Sequence, residues 1–101
     1  MLYKVMYFDE ALADLKGAKT WYNKQQKGLG KRLNKAVRDT IDAIKLRPQV
    51  HSIRYRNIRI ANVDVFPYAV HYYFSEEAGL IAITAIVHNS RRPGLAQGRT
   101  K

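Results

Sequence analysis

Residues 2 to 8 alternate loosely between apolar and polar positions and are rich in β-formers (Tyr3, Val5, Tyr7, Phe8), which predicts a first strand. Asp9 then offers a helix N-cap, with Glu10 in the first turn. Ala11, Leu15, Ala18 and Tyr22 recur at helical spacing, Trp21 widens that face, and "KGLG" supplies a glycine stop at Gly28. A second helix is written more clearly: Leu29, Leu33, Ala36, Val37, Thr40, Ile41 and Ile44 fall on one side, and Pro48 ends it by disfavouring the helical conformation just before it. The opposite side carries Lys31, Lys35, Arg38, Asp42 and Lys45, with Lys35–Asp39 and Arg38–Asp42 spaced for i,i+4 pairs worth about 0.3–0.5 kcal/mol each. The two helices with their short connection predict an αα-hairpin.

After Pro48 the period falls to two. In "SIRYRNIRI" Ile53 and Tyr55 oppose Arg54 and Arg56, and then Ile58 and Ile60 oppose Arg59; "NVD" at 62–64 reads as a turn. Tyr68, Val70, Tyr72 and Phe74 share one face of the next strand, and Ala69, His71 and Tyr73 the other. "SEEAG" turns the chain into a last strand with Ile81, Ile83, Ala85 and Val87 on one face and Ala82, Thr84, Ile86 and His88 on the other. Helices first and hairpins afterwards give an α+β fold, in which an N-terminal strand and a helical hairpin accompany a C-terminal antiparallel sheet covered on one face.

The 101 residues suffice for one core, expected over residues 1–94, with the polar, glycine-containing 95–101 as a tail. No apolar run approaches the roughly 20 residues that span a bilayer, the opening "MLYKVMYF" lacks the form of a signal peptide, and there is no cysteine. A cytoplasmic protein without a membrane partner is the expectation. His51, His71 and His88 are too widely separated for the ligand spacing of zinc sites, and nothing calls for a metal or a cofactor. Composition changes the picture in one respect: 18 Lys and Arg against eight Asp and Glu leave a formal charge of +10, which favours polyanions or an acidic protein as partner.

RNA cleavage needs a base for the 2′-hydroxyl proton, a donor for the leaving oxygen and cations facing the phosphate. His71, His88, Arg54, Arg56, Arg59, Arg91 and Arg92 are the candidates. His71 reads as a half-buried, locally bonded strand residue. His88 ends the last strand, where it can titrate near neutral pH or tie down the following turn. Arg54, Arg56 and Arg59 form a basic row that equally suits the wet face of an edge strand. Arg91 and Arg92 belong to an exposed segment, suited to gripping a partner.

Taken together, "DLKGAKTWYNKQQKGLGKRL", "SIRYRNIRI", "FPYAVHYYF" and "AITAIVHNSRRP" resemble the RelE/ParE superfamily of bacterial toxins from about residue 3 to residue 94, and most closely its ParE-like, plasmid-stabilisation branch. The resemblance implies a toxin silenced by an antitoxin encoded beside it, the two forming a hetero-oligomer. RelE-like members cut messenger RNA on the ribosome, typically with an arginine directly after the tyrosine of the third-strand motif; here Tyr68 is followed by Ala69. ParE-like members lack such groups and block DNA gyrase. The departure at Ala69 favours a non-catalytic gyrase inhibitor contacting its target through Arg91, Arg92 and His88. A ribosome-dependent endoribonuclease using His88 with Arg54, Arg56 and Arg59 is the first alternative, and a non-toxic RNA-binding module the second.

Overall fold

The computed structural model of the chain describes residues 3–90; Arg91, Arg92 and the tail lie outside them. The order is β1 (Lys4–Tyr7), α1 (Asp9–Gln25), α2 (Leu29–Leu46), β2 (Ile53–Tyr55), β3 (Ile58–Asn62), β4 (Tyr68–Ser75) and β5 (Leu80–His88). The sheet order is β1-β5-β4-β3-β2. Strands β2 to β5 form the expected antiparallel meander, and β1 adds a parallel strand beside β5, which makes the five-stranded sheet mixed.

Helix α2 supplies most of the helical contribution to the core. Leu33, Val37, Ile41 and Ile44 are buried, each side chain contributing about 1.5–3 kcal/mol on leaving water, whereas α1 fully buries only Ala11 and Ala18. Leu15 and Tyr22 of α1 are half-buried against the same core. Trp21 does not widen that face, as its sequence position suggests; it projects outward and is 56% exposed. At the start of α1 the N-cap is Phe8, with extended backbone and no side-chain cap, so Asp9 is the first helical residue; Asp9 and Glu10 still lie in the turn where acids favour the helix dipole.

The connection between the helices depends on two glycines. Gly28 sits at φ 86°, a left-handed conformation that costs a glycine little, and it caps α2. Gly30 is buried where α2 crosses α1: its N–H donates to Asn23 Oδ1 at 2.8 Å, and an added Cβ would stand 2.5 Å from the Lys19 carbonyl oxygen. On the polar side Lys35–Asp39 forms at 3.0 Å, while Asp42 turns to Lys45 at 3.5 Å in place of the anticipated Arg38.

Two features of the sheet depart from simple alternation. Arg56 (φ 42°) and Asn57 (φ 64°) are both left-handed and close a two-residue turn between β2 and β3, the conformation of a type I′ hairpin. In β5, His71 pairs with Ala85 and its neighbour Tyr72 with Ile83, so Thr84 is an inserted residue. This bulge exchanges the faces of the strand. Ile81, Ile83 and Ile86 join the core under the helices, while Ala85 and Val87 pack with Tyr55 on the opposite face. The expected set Ile81, Ile83, Ala85 and Val87 is thereby split.

Candidate functional site

Strand β1 accompanies β5 only as far as the pairing of Tyr7 with Ile83. Beyond it the edge of β5 is open toward α1, and the Ile86 N–H would lack a strand partner. Asp14 of α1 supplies one, its Oδ2 accepting that N–H at 3.1 Å. Truncating Asp14 to alanine removes a charge-assisted bond to a part-buried donor, and urea unfolding should register a loss of about 1–2 kcal/mol. An unchanged midpoint would show that water replaces the carboxylate there.

Past Asp14, α1 and the end of β5 diverge around a cleft of about 400 Å³ with Ala13 and Gly17 on the helix wall, Trp21 at the rim, and Tyr68, Ile86 and His88 from the sheet. The bulge at Thr84 is what brings His88 here, because it returns the alternate residues of β5 to the helix side. His88 stacks edge-on to Tyr68 with centroids 5.3 Å apart, and its Nδ1 accepts the Ser90 N–H at 3.0 Å. The ring therefore holds the turn after β5, with Nδ1 as an acceptor, while its other nitrogen carries the proton when the ring is neutral. Tyr22 connects this region to Trp21 at 5.0 Å and to Phe66 at 5.3 Å, both edge-to-face. A second cleft, of about 640 Å³, lies between α2 and residues 61–66; Arg32, Lys35 and Asp39 line it from α2 and Asp64 from the other side.

The arginine row is dispersed. Arg59 pairs with Tyr72 across β3 and β4, and its Nη1 donates to the carbonyl oxygens of Gln49 and His51, fastening the loop after α2. Arg54 is exposed on β2, and Arg56 occupies the hairpin turn. Four residues of β4 and two strand spacings separate Arg59 from His88, roughly 16 Å between backbones. His71 lies on the far face of the sheet, buried, its Nδ1 2.7 Å from the Tyr55 hydroxyl. Ala69, at the position where the resemblance looks for an arginine, is 3% exposed and pairs with Val87. Arg91 and Arg92 fall outside the described residues. The exposed Trp21 beside His88 is a feature that sequence periodicity assigned to the core.

The family model described as "ParE toxin of type II toxin-antitoxin system, parDE" matches residues 5–93. Among solved structures, the chromosomal ParDE toxin–antitoxin system from P. aeruginosa aligns with a TM-score of 0.64 at 18% identity, over 86% of this chain and 96% of that one. A mutant of the E. coli toxin RelE in the free state aligns with a TM-score of 0.72 at 11% identity, over 99% of this chain and 95% of that one. No curated protein sequence is a significant match. At such identities the two structures speak to the fold, an α+β sheet under a helical hairpin, and the match over residues 5–93 speaks to the family. The chain belongs to the ParE toxin family of type II toxin–antitoxin systems.

Proposed function

We propose that this toxin inhibits DNA gyrase by binding it, and that a cognate antitoxin with an acidic, amphipathic segment neutralises it. The observation that carries the reading is the dispersal of the candidate nuclease groups. A phosphoryl-transfer site needs base, acid and cations within hydrogen-bonding reach of one ribonucleotide. Here Arg59 is engaged with loop carbonyls, Ala69 has only a buried methyl group, and His88 stands at the other end of the sheet, bonded to Ser90. A chain with these groups apart is better suited to occupancy than to bond breaking. Arg91, Arg92 and the His88 end of β5 are the proposed target contacts, and the +10 charge suits the acidic antitoxin.

Expression without the antitoxin should cause filamentation and a DNA-damage response while bulk mRNA stays intact, and the purified chain should inhibit gyrase supercoiling. The double variant Arg91→Ala/Arg92→Ala should weaken that inhibition at least tenfold. Prompt cleavage of mRNA within ribosome-bound codons would replace this reading with the endoribonuclease.

A further inference from the structure

Residues 15–38 span the second half of α1, the connection and the first half of α2. They contain six lysines (Lys16, Lys19, Lys24, Lys27, Lys31, Lys35) and two arginines, and none of the eight acidic residues of the chain. All of these basic residues are exposed except Lys19, which is half-buried. Among the described residues the only carboxylate bridge to this set is Lys35–Asp39, and both of its side chains are well exposed. The hairpin geometry concentrates the charge: Gly28 reverses the chain and Gly30 lets α2 close on the Lys19 carbonyl, so the basic halves of both helices lie side by side at one end of the molecule. Trp21, the single tryptophan, stands exposed at the rim of the His88 cleft, three residues before Lys24 on α1.

The residue types select among polyanions. Protein interfaces are depleted in lysine, whereas sequence-independent contact with a phosphate backbone uses lysine and arginine alike as cations. A lysine-rich surface on which positive charge outweighs the neighbouring carboxylates, with one exposed aromatic, therefore fits a nucleic-acid backbone better than an acidic protein. Resting on the gyrase reading, which places the toxin beside duplex DNA, we infer that the basic end of the helical hairpin docks on the phosphate backbone of the duplex that gyrase holds, with Trp21 against the DNA surface. The toxin then grips enzyme and DNA together.

The test uses the purified full chain and a fluorescein-labelled 24-base-pair duplex of arbitrary sequence, without gyrase. Anisotropy between 50 and 200 mM KCl should show affinity falling by about 10³, as expected for about six phosphate contacts, and duplex addition should quench Trp21 fluorescence. The variant Lys24→Gln/Lys27→Gln/Lys31→Gln/Lys35→Gln should lower the slope of log affinity against log salt by about 3–4. A control with the same change in charge, Lys4→Gln/Lys45→Gln/Arg47→Gln/Arg54→Gln, should retain the greater part of the slope. Equal losses in the two variants, an unquenched Trp21, or stronger competition by polyglutamate or single-stranded RNA than by unlabelled duplex would overturn the proposal. A parallel supercoiling assay separates the two readings: inhibition of gyrase without duplex binding defeats only the DNA contact, and duplex binding without inhibition defeats only the gyrase target.

Discussion

Replacing Gly30 with alanine should destabilise the protein by about 2 kcal/mol, lowering the melting temperature by roughly 10 °C, whereas the same change at Gly17 should leave stability level or raise it by up to about 1 kcal/mol. Both glycines lie in helices, where alanine is intrinsically favoured by about 1 kcal/mol, so propensity alone predicts a gain at each. Contact geometry decides otherwise at one of them. Among the described residues, nothing stands within 4 Å of a Cβ added at Gly17. At Gly30 the new carbon meets the Lys19 carbonyl oxygen at 2.5 Å and both polar atoms of the Asn23 side chain at 2.8 Å. Asn23 can swing aside only by giving up its bond to the Gly30 N–H, and the carbonyl belongs to the backbone of α1, so the helices must separate. Overpacking of this kind costs about 1–3 kcal/mol, to which the lost hydrogen bond adds about 1. Gains of similar size at both positions would mean that the helices do not approach as closely as described.

The helical hairpin was legible in the sequence because α2 has one buried face and one wet face, and the 3.6 period marks the boundary between them. Strand β5 shows why the remainder was harder. It is buried on both faces from Ile81 to Val87, so no polar alternation fixes its phase, and a single inserted residue at Thr84 reverses it unseen. The β2–β3 turn was hidden for a related reason. Its central pair is Arg56-Asn57, without the glycine that usually announces a hairpin, and arginine at positive φ follows no common pattern. That unseen turn and the pleat of β3 are what break up the apparent row of Arg54, Arg56 and Arg59. Sequence alternation placed His88 opposite Val87 correctly, yet the cleft it shares with Trp21 depends on the bulge and on β1 stopping at Tyr7, neither of which has a local signature.

Tyr72 should make the protein lose stability in alkali through one identifiable group. The side chain is fully buried, its hydroxyl donates to the Pro48 carbonyl at 2.7 Å, and Arg59 binds the next carbonyls of the same loop, so sheet and α2 are joined at this point. Burial pushes the phenol up to about 12, against a smaller opposing pull from the Arg59 guanidinium. Because the folded value lies above the unfolded value of 10.0, the folded chain holds its proton where the unfolded chain has released it. The stabilisation is complete below pH 10 and drains away as pH rises toward 12, a loss on the order of 2–3 kcal/mol. Tyr72→Phe should be less stable at neutral pH by about 1–3 kcal/mol, since the Pro48 carbonyl is left buried without its donor. The variant lacks the ionisation, so its stability should approach that of the parent between pH 10 and 12, while the lysines titrate alike in both and cancel from the difference. Denaturant midpoints measured at steps across that range give the comparison. Curves that stay parallel to pH 12 would mean that the phenol ionises as readily in the folded chain as in the unfolded one.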